Sequence, residues 1–253
     1  MIPLKDSIRT ERFPVLTLVL IAVNVAVYFI FEQGGILDGP QDKSVYDYGA
    51  WPWEITHPGE QCAVVGEDPQ CPSEQPGLPS TWVTLFTSMF MHGSILHLAG
   101  NMLFLWIFGN NVEDAAGAVK YLGFYLLGGL AAILLQVVTD PGAQVPTIGA
   151  SGAVAAVLGG YIRLFPRGRV LTLIFIVFFI TVIELPAVVM LGLWFIQQLA
   201  FGFYGLNDPV GGGGGVAYFA HIGGFVFGLL TVKLLADSER VEAAKHPQPP
   251  VTA

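Results

Sequence analysis

Gly149-Ala150-Ser151-Gly152 is a run of four small residues between a polar turn, Thr139-Asp140-Pro141-Gly142, and an apolar stretch that begins at Ala153. A serine between glycines, where a loop turns into a helix, has three uses. It can cap the helix, make room for a neighbour, or serve as a nucleophile. On its own Ser151 reads as a cap or a packing residue. Which use applies depends on what the rest of the chain brings to it.

The surroundings are membrane sequence. Of the 253 residues 53% are hydrophobic and 12% charged, against about 25% charged in an average soluble domain. Several apolar runs reach or approach the roughly 20 residues needed to cross a bilayer. The first, from about Pro14 to Phe31, follows Lys5, Arg9 and Arg12. It is longer than the core of a secretory signal and runs into Glu32-Gln33-Gly34-Gly35 instead of a small-residue cleavage site, so it reads as a retained span. The net charge of −8 is local: nine of the nineteen acids lie between Glu32 and Glu74. No basic patch argues for a nucleic-acid partner.

Further spans are expected at about 94–112, 118–138, 151–165, 186–204 and 216–236. The polar segment 32–80 is too long for a simple connector, which leaves a functional or a disordered loop. Residues 81–91 carry Trp82, Phe86 and Phe90 and read as a short interfacial or re-entrant piece. Residues 170–183 are apolar but short for a span, and Glu184-Leu185-Pro186 interrupts the run. Six spans with the N-terminus inside put ten of the eleven Lys and Arg on the inner side, with Lys43 the exception. A seventh span at 170–183 would move Lys233, Arg240 and Lys245 outside, against the positive-inside rule. That stretch is therefore expected to be interfacial or re-entrant. The expected fold is an all-α polytopic membrane protein of six transmembrane helices with a long outer first loop. Residues 1–13 form a short cytoplasmic segment, 14–236 the domain with its acidic insertion at 32–80, and 237–253 a disordered tail.

This topology brings polar groups to one depth. His92 and His97 stand at the outer end of the second span, and Asn101 follows on the same helical face, about 6 Å deeper. Ser151 opens the fourth span at the same side, and His221 lies about 7–8 Å below the start of the sixth. Polar side chains in such a layer are costly and suggest a site. Singly, each has a plainer use: His221 as interhelical glue, Asn101 as a structural hydrogen bonder, His92 and His97 as interface histidines. The pattern Gly152-x-x-x-Ala156-x-x-x-Gly160 in one span and Ala220-x-x-x-Gly224-x-x-x-Gly228 in another lets two helices approach closely. If these stripes face each other, Ser151 meets His221, and a serine needs such a base to become a nucleophile. Donors for an oxyanion are available in the Ser151 N–H, His97 and Asn101. No carboxylate is placed to orient His221, since Asp140 and Asp208 lie in loops, so a dyad is expected. The histidines lack acidic or cysteine partners at metal-ligand spacing, so no metal or other cofactor is called for.

His92-x4-His97-x3-Asn101, Gly149-Ala150-Ser151-Gly152 and Ala220-His221-Ile222-Gly223-Gly224, in this order, resemble the motifs of the rhomboid intramembrane serine proteases. The resemblance covers about residues 14–236. It implies an endopeptidase that cleaves transmembrane segments of single-span or polytopic membrane proteins near their outer end. Ser151 would be the nucleophile and His221 the general base and acid. His97, Asn101 and the Ser151 N–H would stabilise the oxyanion, and His92 would be structural. The fifth span and the loop 207–215 would gate substrate entry. The alternative is an inactive rhomboid-like protein that holds transmembrane clients, although its usual sign is loss of the serine or the histidine. Departures from the family pattern are Val83 after Trp82, Ala155 where some members stack a tyrosine on the histidine, and Ala115 in place of an arginine after Glu113. Cys62 and Cys71 fall in the outer loop, where a bridge between them and two free thiols are both open. The expected location is a bacterial inner membrane, with both termini cytoplasmic and the site open to the outer side.

Overall fold

The computed structural model describes residues 1–66, 68–73, 77–176, 179–206 and 216–245. The chain is mostly helical. Strand β1 (Ile2–Asp6) precedes α1 (Val15–Ala26), whose last turn widens into a π-turn at Val27–Phe31. Helices α2 (Asp42–Tyr48) and α3 (Pro52–Thr56) and a small hairpin, β2 (Ala63–Val65) with β3 (Asp68–Gln70), follow. Then come α4 (Thr81–Thr87), α5 (Ile95–Phe104) and α6 (Asn110–Ala116), the last two joined by a π-helical stretch. The remaining elements are α7 (Ala118–Thr139), α8 (Ser151–Leu164), strands β4 (Arg169–Ile176) and β5 (Phe179–Pro186), α9 (Ala187–Leu206), α10 (Tyr218–Thr231) and α11 (Ser238–Lys245).

Among the described residues three helices are long and apolar enough to cross a membrane: Ile95–Ala116, Ala118–Thr139 and Ala187–Gly205. A fourth is available if α10 and α11, which meet at 106°, count as one broken span. The apolar helices Val15–Phe31 and Ser151–Leu164 are shorter. The protein is an integral membrane protein.

Helix α8 is the centre of the bundle. Six of its 14 residues are Gly or Ala, and it is buried along nearly its whole length. Without side chains to hold them off, neighbouring backbones close on it. A Cβ on Gly224 would overlap the Gly152 carbonyl oxygen, and one on Gly228 would overlap that of Ala156. The two expected stripes therefore meet at Gly152 and Ala156. The last member of the α8 stripe falls outside this contact: Gly160 faces Phe124 and Val232, and it is Gly159 that lies against the Phe225 carbonyl.

Three expectations are corrected. The fold is not all-α, because residues 169–186 form a β-hairpin whose first strand pairs with β1, giving the order β1-β4-β5. The stretch is rich in β-branched and aromatic residues, which suit a pleated surface better than a helix. The second span does not stop at Glu113-Asp114 but runs on to Ala116. Both acids are tolerated because the N-terminal segment consumes them. The Glu113 carboxylate accepts from the N–H groups of Leu16 and Thr17 and from the Thr17 hydroxyl, at 2.7–2.9 Å, capping the start of α1. Asp114 accepts the Glu11 N–H at 2.8 Å. The tail is not disordered over 238–245. Asp237 accepts the N–H groups of Glu239 and Arg240 at the head of α11, and Val241 is buried. Residues 246–253 lie outside the described part.

The 32–80 segment is built rather than loose over its described part. Cys62 and Cys71 are bonded. The buried Glu54 carboxylate ties that loop to α4 by accepting the Cys62 N–H at 2.8 Å and the Thr81 hydroxyl at 3.3 Å. Ala50 exchanges two backbone hydrogen bonds with Thr147, so the segment braces the loop that leads into α8. Helix α4 leaves Trp82, Val83 and Phe86 exposed, in keeping with an interfacial element. Gly228→Val is expected to lower stability by about 3 kcal/mol, because the Ala156 backbone occupies the place of the new Cβ and cannot move aside as a side chain can. Thermal melting of the purified variant in detergent micelles measures this.

Candidate active site

Ser151 is the first residue of α8, and no side chain caps that end. Its hydroxyl is free for a longer-range partner: Ser151 Oγ lies 2.8 Å from His221 Nε2. The preceding Gly149 has φ +125°, a conformation open to glycine. Its N–H donates to the Ser88 carbonyl at 2.8 Å, which pins the approach to the helix. A side chain there would also strike the His97 ring, with a Cβ only 2.8 Å from Cε1 and 3.3 Å from Ser151 Oγ. His97 and the serine hydroxyl thus flank the same small space.

His221 sits one turn into α10. The Ala220 N–H at the head of that helix is satisfied by the Gln136 side-chain oxygen of α7 at 3.2 Å. The close contact of Gly224 with Gly152 then sets the distance between imidazole and hydroxyl. On its other side, His221 Nδ1 is 2.8 Å from Gln198 Oε1 of α9. Trp194 of the same helix lies against the ring, centroids 5.9 Å apart, and Tyr218 meets it edge-on at 6.5 Å. Gln198 is not among the partners that the sequence leads one to expect for His221, which are carboxylates. The available signal was a pair of glutamines, Gln197-Gln198, inside an apolar span.

Ser94 caps α5 by accepting the His97 N–H at 3.2 Å, which starts the helix that carries both His97 and Asn101. Asn101 is 8% exposed, and its Nδ2 donor has no hydrogen-bond partner. No hydrogen bond joins it to Ser151 or His221 among those described. Both ring nitrogens of His92 are likewise without a hydrogen-bond partner. His92 is buried edge-on against His97, centroids 5.1 Å apart. Its backbone N–H is held by the Glu32 carboxylate at 3.1 Å and 3.2 Å. A cavity of about 20 Å³ lies beside Ser151, lined in part by Ser88, Gly149 and Ala220, enough for one water molecule. The expected hinge at Asn207–Gly215 lies outside the described residues.

A hydroxyl hydrogen-bonded to an imidazole is the arrangement that turns serine into a nucleophile. Here it is assembled between helices of an integral membrane protein, beside a second histidine and an unpaired amide donor. Residues 79–238 match the model of the Rhomboid domain, and the chain belongs to the rhomboid family. It is 30% identical over 154 residues to rhomboid protein 1, mitochondrial, of Saccharomyces cerevisiae, covering 58% of this chain and 40% of that protein. It is 26% identical over 222 residues to the rhomboid protease GluP of Bacillus subtilis, covering 88% of this chain and 35% of that protein. The presenilin-associated rhomboid-like protein, mitochondrial, of Homo sapiens is 33% identical over 97 residues, 38% of this chain and 25% of its own length. The matched part is thus 25–40% of these relatives' length.

Burial pushes the Glu32 carboxyl up to about 7, against the partly offsetting hydrogen bond from the His92 N–H. Its folded value exceeds its unfolded one, so its contribution to stability is full below the unfolded value and is lost as pH rises through about 7. Glu32→Gln removes this contribution, so between pH 5 and pH 8 the melting temperature of wild type is expected to fall relative to that of Glu32→Gln. Melting curves of both proteins at the two pH values check this.

Proposed function

We propose that the chain is an intramembrane serine endopeptidase that cleaves transmembrane segments of membrane proteins near their outer end. The observation that carries the proposal is the 2.8 Å contact of Ser151 Oγ with His221 Nε2. The Ser151 proton passes to Nε2 as Oγ attacks the scissile carbonyl carbon. The tetrahedral intermediate collapses, His221 hands the proton to the leaving amine, and an acyl ester on Ser151 remains. A water activated by the same imidazole then hydrolyses the ester. The Ser151 N–H at the head of α8, the His97 ring and the Asn101 amide are the proposed oxyanion donors. Asn101 follows His97 by four residues on the same face of α5, and its Nδ2 makes no hydrogen bond within the protein, so it is free to donate.

The three long spans, α10 with its bent extension, Val15–Phe31 and Ser151–Leu164 make six crossings under this reading. Both termini are then cytoplasmic, the 32–80 segment is an outer loop, and the site opens to the outer side. The 14 residues of α8 rise about 21 Å, short of the roughly 30 Å hydrocarbon core. With Arg163, Arg167 and Arg169 at the inner surface, Ser151 at the other end lies roughly 9 Å inside the hydrocarbon. Substrates are single-span or polytopic membrane proteins. The membrane is a bacterial inner membrane under this reading; of the relatives above one is bacterial and two are mitochondrial.

Purified protein is expected to cut a model single-span substrate, and Ser151→Ala to abolish the cut. A Ser151-directed fluorophosphonate is expected to label wild type only. Asn101→Ala is expected to be slower by roughly 10²-fold but still active, because two donors remain. Cleavage that survives in Ser151→Ala defeats the mechanism. Absence of both cleavage and labelling in wild type favours a protein that binds clients without cutting them.

A further inference from the structure

A neutral imidazole has one N–H and one lone pair. For His221 to take the Ser151 proton, the lone pair has to be on Nε2 and the N–H on Nδ1. That tautomer needs an acceptor at Nδ1, which serine hydrolases commonly supply as a carboxylate. Here the atom at that place is an amide oxygen, Gln198 Oε1, at 2.8 Å. Gln198 is 5% exposed and lies among apolar residues of α9. Resting on the proposed protease reading, we infer that Gln198 is the positioning residue of this site, holding His221 in the tautomer and ring orientation that face its base toward Ser151.

The substitution of amide for carboxylate has a physical reason. A carboxylate buried among membrane helices loses hydration that a single imidazole does not replace. An amide accepts the same proton without carrying a charge. It also has a wrong way round: with its NH2 toward Nδ1 it would force the proton onto Nε2 and block the serine. The acceptor comes from α9, the least enclosed of the three long spans. Any displacement of α9 from α10 removes it, so a competent dyad requires α9 to be docked.

The plainer role for Gln198 is interhelical glue. The two roles separate experimentally because α9 has other holds on α10. Phe195 stacks on Phe225 with centroids 4.5 Å apart, Trp194 packs on His221 and Phe225, and Phe201 meets Tyr218. Gln198→Leu removes the acceptor at similar size, Gln198→Asn withdraws it by one methylene, and Gln198→Glu keeps an oxygen in place. The expected result is a fall in kcat of roughly 10–10²-fold in the Leu and Asn variants, with KM within about twofold. The rate of fluorophosphonate labelling at Ser151, which needs no substrate, falls by the same factor. Gln198→Glu recovers to within about fivefold of wild type, since its carboxyl oxygen accepts the same proton. Melting temperatures in micelles identify folded variants, and if Leu does not fold, Asn carries the test.

The inference is overturned if the folded Leu or Asn variant cleaves and labels as wild type does while Ser151→Ala does neither. That outcome leaves the protease reading standing. It is also overturned if Glu is as slow as Leu, which marks a packing role. Wild type that neither cleaves nor labels defeats the protease reading and this inference with it.

Discussion

Everything at the site depends on two helix backbones touching. Gly152 and Ala156 of α8 meet Gly224 and Gly228 of α10 so closely that a single Cβ on either α10 glycine would overlap a carbonyl oxygen of α8. Apolar burial gives helices no drive to associate within lipid, so close van der Waals packing has to hold them. The same contact has a geometric result. Ser151 adjoins Gly152 and His221 lies three residues before Gly224, so the packing that joins the helices also brings hydroxyl and imidazole to hydrogen-bond distance.

The rest of the structure keeps that contact in register and satisfies the polar groups it requires. Helix ends inside a membrane protein leave donors and acceptors that water does not reach. Side chains meet them here: Glu113 and Gln136, from distant helices, at the heads of α1 and α10, and Ser94, as the local cap, at the head of α5. The Asp6 carboxylate accepts from Tyr161, Asn111 and the Ile8 N–H, tying the N-terminal strand to α8 and to the α5–α6 span. On the other side of the bundle the disulfide-bonded segment braces the loop before Ser151 through Ala50 and Thr147. Near the dyad the Asn101 amide donor is left open, as are both ring nitrogens of His92.

Legibility in the sequence followed the range of the physics. The apolar runs and the small-residue stripes are local or periodic, and the helices at 118–139, 151–164 and 187–206 fall within a residue or two of their expected limits. The hairpin at 169–186 was hidden because an apolar run looks alike as strand, interfacial element or short helix, and its partner, β1, is more than 160 residues away. Glu113 and Asp114 look like helix breakers until the N-terminal backbone that uses them is known. Gln198 was invisible as a partner of His221 because nothing in a linear chain says that α9 comes to the Nδ1 side.

The sequence by itself determined the membrane character, the family motifs and the three helices that carry Ser151, His221, His97 and Asn101, because hydropathy and helical spacing are written in neighbouring residues. Only the tertiary structure decided that the Ser151 hydroxyl is given to His221 and not to the cap of its own helix. It likewise decided that an amide on a third helix meets the other ring nitrogen. Those are distances between segments far apart in the chain, set by which backbones can touch, and no local pattern encodes them.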